Sequence, residues 1–459
     1  MAAARPSRSG ARLVVIGGDA AGMSAAAEAR RADPDREILV LERGPDVSYA
    51  ACGIPYLIGG EVADADDLVH HDPEYFLQRR GIEVRTGVEA LAVDPEAHAV
   101  RCAGGGDVRY GALVIATGAR PVRPPVPGAD LPGVLTLRDL ASARRLRDLL
   151  ASLTDPSALL VGSGPIGIEM AEALIARGVR VQIAESAPRV LPALDEAVAA
   201  PVVSALEEAG VRARAGATLE RIVLRDGTRP AATIDGREQV FDLILLGTGV
   251  RPNSEIAASA GCELGERGAI AIDRHGRTTV DGIWAAGDCA TAHHILLGRQ
   301  TWIPLATTAT VQGRIAARDV VGDRGDDVAG RFAGTLGSWV SRFGAVSFGA
   351  TGIDARTALE AGFTPETVLR QGRDRSGYMP GARPIVVRLV WDRDTGRLLG
   401  GQVAGSGEVS TRLHAISVAL WGGLTVRGLA ECDLGYAPPL SPLRDPVQLA
   451  AAAAIGDAP

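Results

Sequence analysis

The chain has 459 residues, which is enough for about three domains with cores of their own. Its formal net charge of −7 argues against nucleic acid as a partner, and all 48 basic residues are arginine, which excludes a lysine Schiff base and a lysine-bearing phosphate loop. The five cysteines are scattered and none has metal-ligand spacing, so we expect no metal site and a reducing, cytoplasmic compartment. No apolar run is long enough for a membrane helix, so we expect no membrane partner.

The chain opens with a predicted strand, glycine-rich turn and helix. Residues 11–22 read ARLVVIGGDAAG, in which an apolar, β-branched run leads into the turn. An alanine-rich helix over 23–31 and a strand over 37–41 follow, and the strand ends at Glu42. An acid about twenty residues beyond a glycine turn in a βαβ unit is the fingerprint of dinucleotide binding.

This first turn predicts where a dinucleotide is held. Its phosphates are expected at the helix N-terminus, over Gly17 and Gly22, and its ribose hydroxyls on Glu42, with Arg43 beside it. Asp19 replaces the middle glycine of the fingerprint. Because a carboxylate and a pyrophosphate repel each other, we expect the Asp19 side chain to point away from the phosphates.

The chain is organised around residues 48–56, which read SYAACGIPY. Gly53 permits a tight turn and Pro55 is tolerated in the first turn of a helix, so Cys52 is predicted just before a helix N-terminus. The free N–H groups of that turn favour the thiolate of Cys52, which is its nucleophilic form. Leu57 stands where a C-x4-C dithiol needs its second cysteine, so this thiol must cycle through a sulfenic acid or a mixed disulfide. A small buried cysteine is the alternative.

A second copy of the nucleotide-binding pattern follows. A strand over 158–161 leads into GSGPIG at 162–167, then a helix over 168–177 and a strand over 180–184 that ends in an acid. The expected dinucleotide ligands here are the three fingerprint glycines and the acid: Gly162, Gly164, Gly167 and Glu185. Two such units in the same order are strong evidence for two nucleotide-binding domains. The acid favours NADH over NADPH, because it repels a 2′-phosphate.

Each copy is followed by another apolar strand and glycine turn, at 113–121 and 243–252. From these turns we expect further cofactor contacts: Thr117, Gly118 and Gly249. A proline-rich link over 121–132 is predicted to cross between the two domains. The chain then returns to the first domain, where a strand over 282–287 leads to Asp288. This carboxylate is expected to accept a hydrogen bond from a ribityl hydroxyl, and a helix N-cap is the alternative.

The last third of the chain is predicted to mix helices and strands. A helix over 305–320 precedes a polar loop at 322–327, which we interpret as a domain boundary. Beyond it we predict strands at 340–347 and 384–391 and helices at 354–361 and 410–421. A glycine-rich loop at 372–381 carries Tyr378, and the tail at 436–446 reads YAPPLSPLRDP. So many prolines impose an extended path with few donors, which suits contact with another chain, and a solvated tail is the alternative.

Together these motifs resemble the pyridine nucleotide–disulfide oxidoreductases, within them the single-cysteine branch of coenzyme A-disulfide reductases, NADH oxidases, NADH peroxidases and persulfide reductases. SYAACGIPY and YAPPLSPLRDPV are most similar to the coenzyme A-disulfide reductase group. The resemblance implies an α/β fold of two Rossmann-like (glutathione-reductase-type) nucleotide-binding domains plus a C-terminal α+β dimerisation domain. It divides the chain into an FAD-binding domain in two parts, an NAD(P)H-binding domain between them and the dimerisation domain: 11–121 and 253–328, 122–252, and 329–459.

The resemblance also implies roles for single residues. Cys52 matches the redox cysteine, and Tyr378 and Tyr436 match two tyrosines that line the substrate thiol site. Positions that face the coenzyme A channel in that group carry over to Ser24, Glu28, Arg31, Ser48, Arg80, Gln312 and Arg444. The three arginines suit the phosphates of coenzyme A, which a guanidinium binds bidentately. A solvated surface charge is the alternative for each.

The function implied is that of a homodimeric, FAD-containing enzyme that reduces coenzyme A disulfide, or a related small disulfide, with NADH or alternatively NADPH. A persulfide or polysulfide reductase is the first alternative and an NADH oxidase the second. Oxidases and peroxidases of this branch carry a histidine where Ala20 stands, which disfavours them here. A flavoprotein that passes electrons to a protein partner is the alternative from another class, and Cys52 would then be idle.

Overall fold

The computed structural model describes residues 11–323 and 330–456. The predicted boundary between residues 328 and 329 falls at the edge of the intervening stretch and lies outside the described residues. In chain order, the first segment forms β1 (Leu13–Ile16), α1 (Ala20–Ala32), β2 (Ile38–Leu41), α2 (Ile54–Gly59), α3 (Pro73–Arg80), β3 (Glu83–Arg85), β4 (Ala90–Asp94), β5 (Ala99–Cys102), β6 (Asp107–Arg109), β7 (Ala112–Ile115) and β8 (Ala119–Pro121).

The second segment carries the second glycine turn. It forms β9 (Val134–Leu135), α4 (Leu140–Ala151), β10 (Ser157–Val161), α5 (Pro165–Ala176), β11 (Arg180–Ala184), α6 (Glu196–Glu208), β12 (Arg212–Arg214), β13 (Leu219–Arg225), β14 (Arg229–Ile234), β15 (Arg237–Val240), β16 (Leu243–Leu246) and β17 (Val250–Pro252). A return segment then adds α7 (Glu255–Ser259), β18 (Ile283–Ala285), β19 (Ala292–His294), β20 (Arg299–Thr301) and α8 (Ala306–Val321).

The C-terminal unit is built on antiparallel strands. It forms β21 (Trp339–Phe343), β22 (Val346–Gly352), α9 (Ala355–Glu360), β23 (Pro365–Arg373), β24 (Pro384–Asp392), β25 (Leu398–Gly405), α10 (Val409–Trp421), α11 (Val426–Glu431) and α12 (Pro446–Ala454). The single strand predicted over 340–347 is wrong: β21 and β22 form a hairpin, because Gly344 has a positive φ of 56° at the turn between them. No helix in 11–323 or 330–456 is both long and apolar enough to span a bilayer.

Two five-stranded parallel sheets repeat one arrangement. The first has the order β18-β7-β1-β2-β3, so the return segment supplies its edge strand, and the second has the order β12-β11-β10-β16-β9. The interior strands LVVI of β1 and LILL of β16 are buried along their whole length, as expected for parallel strands covered on both faces. The two units are joined where β8 and β17 pair antiparallel, with Ala119 opposite Pro252.

Helix α2, which starts just after Cys52, is buried in a core that all three units share. Ile54, Leu57 and Ile58 are at most 3% exposed. They cluster with residues of α4 and α5 and with Phe343 and Phe348 of the C-terminal unit. The apolar face of this short helix therefore holds the cysteine-bearing turn at the junction of the three units.

Candidate active site

The first glycine turn is closed by its backbone and fixes an acid beside it. Gly17 has a φ of +110°, and a Cβ there would lie 2.1 Å from the carbonyl oxygen of Ala116, so only glycine fits. The two carboxylate oxygens of Glu42 each accept one backbone hydrogen bond, from Gly18 at 2.8 Å and from Gly44 at 2.7 Å. Each oxygen keeps a free lone pair, so Glu42 can still accept from ribose hydroxyls.

A cavity of about 550 Å³ opens along this turn. The predicted cofactor residues that line it are Gly17, Glu42, Arg43, Thr117 and Gly118. Gly22 is buried in the first turn of α1, directly beneath Gly17. The glycine turn, the anchored acid and the cavity suit the diphosphate and ribose of a dinucleotide.

Asp288 meets an arginine that the sequence reasoning missed. The Arg138 guanidinium lies 3.0 Å from the Asp288 carboxylate, and Arg138 lines the cavity. The Asp288 carbonyl accepts a hydrogen bond from the Trp302 indole at 2.9 Å, which fixes the turn after β18. Arg138 stands outside every motif and is 150 residues from its partner, so only the folded chain reveals the pairing. A guanidinium here can offset the negative charge of a diphosphate.

Asp19, which we expect to point away from the phosphates, lies at the edge of the cavity. It lines the cavity and begins α1 as its N-cap residue, but its side chain makes no capping hydrogen bond. Burial, only partly offset by the Ala20 N–H and by Arg138, raises the pKa of Asp19 to about 6. Burial therefore disfavours the charged form of Asp19 at the edge of the cavity.

Cys52 lies in a 3-10 turn, Ala51–Gly53, directly before α2, as predicted. The expectation of a stabilised thiolate is wrong for the chain by itself. Although the residue is exposed, partial burial of the thiol raises the pKa of Cys52, and the carboxylates of Glu169, Asp19 and Asp288 raise it further. Helix α2 has only six residues, so its N-terminal dipole is weak against three nearby negative charges.

The second glycine turn repeats the first with one difference. A Cβ at Gly162 would lie 2.4 Å from the Gly247 carbonyl oxygen, and one at Gly167 would lie 2.4 Å from the carbonyl oxygen of Gly162. Gly164, the N-cap residue of α5, faces open space instead. Gly249 is exposed and has a φ of +98° in the later turn. A phosphate can therefore approach the backbone at Gly164.

Glu185 is held more tightly than Glu42. Its Oε2 accepts from the Ser163 N–H and hydroxyl, both at 2.7 Å, and its Oε1 accepts from the Ala187 N–H at 2.8 Å and, at 3.4 Å, from the Ser186 hydroxyl. Burial opposes ionisation, but these hydrogen bonds prevail and lower the pKa of Glu185. The long Ser186 contact is the one that a ribose hydroxyl can replace.

The two predicted tyrosines lie on the surface of the C-terminal unit. Tyr378 is 73% exposed and Tyr436 is 47% exposed, next to two large apolar side chains, Leu440 and Leu443, that are 73% and 74% exposed. Arg444 is exposed on the same tail. Such an apolar patch around two tyrosines is typical of a protein–protein interface.

Several positions expected at a coenzyme A channel lie on or near α1. Ser24 is half-buried on α1, Ser48 lies in the loop before the turn that bears Cys52, and Arg80 ends α3. Glu28 is buried, and its carboxylate pairs with Arg31 of the same helix and with Arg318 of α8. The Glu28 side chain is therefore paired inside the protein, whereas the side chains of Arg31 and Arg318 are partly exposed to solvent.

Gln312 is not placed to contact a substrate. It is 3% exposed, its carbonyl accepts from the Gly287 N–H at 3.0 Å, and its amide donates to the Thr291 carbonyl at 2.8 Å. The expectation for Gln312 is therefore corrected: it ties α8 to the turn after β18, because a buried amide must satisfy its polar atoms inside the protein.

Comparison with known proteins gives the same order of units. Residues 11–313 match the family model described as pyridine nucleotide-disulphide oxidoreductase, and residues 341–445 match that family's dimerisation domain. An NADH oxidase of Methanocaldococcus jannaschii is 33% identical over 96% of this chain and 98% of its own. The NAD(P)H sulfur oxidoreductase (CoA-dependent) of Pyrococcus abyssi is 35% identical over 95% of this chain and 96% of its own.

A solved structure is similar over nearly the whole chain. A NAD-dependent persulfide reductase from A. fulgidus has a TM-score of 0.93 at 36% identity, covering 97% of this chain and 83% of that one. The coenzyme A disulfide reductase of Staphylococcus aureus is more distant, at 27% identity over 95% of this chain and 98% of its own. These matches confirm the predicted fold class and cofactors. The chain belongs to the pyridine nucleotide–disulphide oxidoreductases, which are enzymes that use FAD and NAD(P)H.

Proposed function

We propose that this enzyme uses NAD(P)H to reduce a persulfide or polysulfide of coenzyme A, with coenzyme A disulfide as a second substrate. This reverses the order expected from the sequence. The similar proteins at 35% and 36% identity are named for sulfur and persulfide, whereas the protein named coenzyme A disulfide reductase is 27% identical.

The observation that carries the proposal is the single exposed thiol, Cys52, whose pKa is affected by Asp19 and Arg138 of the cavity lining. All five cysteines lie among the described residues, and Cys52 alone is exposed, while three are buried and Cys432 is half-buried. A lone thiol has no neighbour with which to form a disulfide, so it exchanges with a sulfur of the substrate.

FAD, when bound, accepts a hydride from NAD(P)H and supplies two electrons to a sulfur–sulfur bond at Cys52. The Cys52 thiolate attacks the sulfur that is bonded to coenzyme A, breaks the sulfur–sulfur bond and leaves a mixed disulfide. Hydrosulfide is expelled from a persulfide, and the coenzyme A thiolate from a disulfide. Two electrons and one proton then return the Cys52 thiolate and release the coenzyme A thiol. The sum for a persulfide is RSSH + NADH + H⁺ → RSH + H₂S + NAD⁺.

The surroundings of Cys52 affect the ionisation of its thiol. Partial burial and the carboxylates of Glu169, Asp19 and Asp288 raise the pKa of Cys52, and Arg138 lowers it. The sulfur that leaves in the attack carries a negative charge, so a proton donor beside it would favour its release. Tyr436 is our proposed proton donor to that sulfur.

The first test is Cys52→Ser. We expect it to abolish turnover of coenzyme A persulfide and coenzyme A disulfide, and to leave bound FAD and NADH-driven flavin reduction intact. Cys432→Ser is the matched control and should keep wild-type turnover. NADH consumption is measured with coenzyme A persulfide, coenzyme A disulfide, glutathione disulfide and O₂. Retained turnover in Cys52→Ser, or a wild-type enzyme that reduces only O₂, would refute the proposal.

We also propose that the enzyme is a homodimer with shared sites. The support is the dimerisation-domain match at 341–445 and the exposed patch around Tyr436. Each site then takes Cys52 from one subunit and Tyr436 and Tyr378 from the other. Cys52→Ser and Tyr436→Phe homodimers should both be impaired, and mixed dimers should regain activity, because one of their two sites is intact. Mixed dimers that give only the average of the two homodimers would contradict shared sites.

A further inference from the structure

The two tyrosines of the C-terminal surface stand on segments that are far apart in sequence. Tyr378 lies in a loop closed at its base, where the Asp374 N–H donates to Arg383 at 3.0 Å and the Arg383 N–H returns a bond to the Asp374 carboxylate at 2.8 Å. Tyr436 lies in a tail closed at its ends, where the Gln448 amide donates to the Cys432 carbonyl at 2.6 Å. Each segment is thus a separate closed loop.

One buried side chain connects the two loops. Arg412 of α10 is 6% exposed, and its guanidinium donates to the Asp374 carbonyl at 2.7 Å and to the Asp445 carboxylate at 3.0 Å. A third bond, to the Glu408 carbonyl at 3.0 Å, fixes the guanidinium to its own helix. Asp374 and Asp445 are themselves 1% and 6% exposed, so this arrangement is rigid and excludes water.

The loops also contact each other directly. The Ser376 N–H, two residues from Tyr378, donates to the Pro438 carbonyl, two residues from Tyr436, at 3.1 Å. This bond is a single neutral contact at the rim, whereas Arg412 holds the bases of both loops. The planar guanidinium suits this task, because it presents several donors in fixed directions, which an ammonium does not.

We propose that Arg412 is a positioning residue of the substrate site, which holds Tyr378 and Tyr436 as one unit for the partner subunit. It touches neither the substrate nor the cofactor. This proposal rests on the shared site of the proposed function. Under it, Arg412 of one subunit affects the reaction at Cys52 of the other subunit.

The test variants are Arg412→Gln, which removes the bonds to Asp374 and Asp445, and Arg412→Lys, which keeps a positive charge near Asp445 but cannot reach both loops. Arg388→Gln is the matched control, because Arg388 of β24 pairs with Asp195 at 2.8 Å and is in neither loop. We expect Arg412→Gln to lower kcat/KM for coenzyme A persulfide at least tenfold, with FAD content and NADH-driven flavin reduction unchanged. In Arg412→Lys, kcat/KM should lie between those of Arg412→Gln and the wild type. Hydrogen exchange should rise in 374–383 and 432–445 together.

Mixed dimers separate positioning from general stability. Arg412→Gln paired with Cys52→Ser, co-expressed with two tags, should regain activity, because the Arg412→Gln chain still supplies a complete Cys52 site to its partner's tyrosines. If mixed dimers give only the average, or if exchange rises in one segment alone, the proposal is overturned. If Arg412→Gln does not fold, Asp445→Asn, which keeps an acceptor at the α12 N-cap and removes only the Arg412–Asp445 bond, must lower kcat/KM for coenzyme A persulfide and regain activity in mixed dimers with Cys52→Ser. A wild-type enzyme that fails on coenzyme A persulfide and disulfide would refute the proposed function instead.

Discussion

The two glycine turns of this enzyme have the same backbone geometry but differ in the negative charge at the start of the following helix. Each ends a buried strand, and each holds an acid against its own N–H groups, Glu42 in the first turn and Glu185 in the second. The N-cap residue of the following helix is Asp19 in the first and Gly164 in the second. The first turn has Arg138 nearby to balance its extra carboxylate, and the second leaves open space.

We propose that this difference separates a resident cofactor, FAD, at the first turn from an exchanging one, NAD(P)H, at the second. A cofactor that stays bound can tolerate a repulsive carboxylate if an arginine from another part of the chain offsets it. A cofactor that binds and leaves at each turnover needs a turn that is open and free of like charge. The two acids differ in the same way. Glu42 has free lone pairs that can accept from ribose hydroxyls, whereas in Glu185 a ribose hydroxyl can only replace the long hydrogen bond from Ser186.

The largest effect is expected from Gly164→Asp, which gives the second turn the N-cap residue of the first. Aspartate is a favourable N-cap, so α5 should fold normally. A carboxylate about 5 Å from a phosphate costs roughly 3 kcal/mol at an effective dielectric constant of 20, so KM for NADH should rise about a hundredfold. Gly164→Asn is the neutral control and should raise KM much less. Stopped-flow flavin reduction measures both, and equal effects would show that size, not charge, matters.

A smaller effect is expected from Glu185→Gln. The lowered pKa of Glu185 keeps it ionised at neutral pH, so it repels the 2′-phosphate of NADPH. Removal of the charge should narrow the preference for NADH over NADPH by about tenfold, or about 1.4 kcal/mol. The ratio of kcat/KM for the two donors measures this, with Glu42→Gln as the control that leaves the ratio unchanged. A wild-type enzyme with no preference would already contradict the assignment.

The smallest effect is expected from Asp19→Asn, which removes the carboxylate of the first turn that Arg138 only partly offsets. Because its pKa is raised to about 6, Asp19 is neutral below that pH and charged above it. Wild-type FAD affinity should therefore weaken as pH rises through about 6, and the Asn variant should bind FAD several-fold more tightly at pH 7 with no such dependence. Titration of the apoprotein by flavin fluorescence quenching measures both. A wild-type affinity that is flat from pH 5 to 8 would show that Arg138 already cancels the charge.

The sequence predicted the elements that have a strong local signal. Both glycine turns, their acids and the helix start after Cys52 follow from short motifs whose geometry is local. Strands β23 and β25 are not predicted from the sequence, because their residues show neither clean alternation nor a long apolar run. They form strands because both pair with β24 in the folded sheet.

The misses at the site share one cause, which is that they depend on partners distant in sequence. Arg138 pairs with the carboxylate of Asp288, and the side-chain amide of Gln312 forms hydrogen bonds with the backbone of Gly287 and Thr291. Burial raises the pKa of Cys52, and Glu169, which lies in the other nucleotide-binding unit, raises it further. No motif carries this information, since it arises only when separate segments pack together.

The burial of α2 among three units also sets an order of events during synthesis. The turn that bears Cys52 emerges early, yet the surfaces that bury Ile54, Leu57 and Ile58 belong to segments translated much later, including Phe343 and Phe348. We therefore expect the turn that bears Cys52 to lack part of its packing until the last unit folds and docks. If Cys52 has the redox role that we propose, a nascent or truncated chain that has folded only its first domain is expected to bind FAD without a supported thiol beside it.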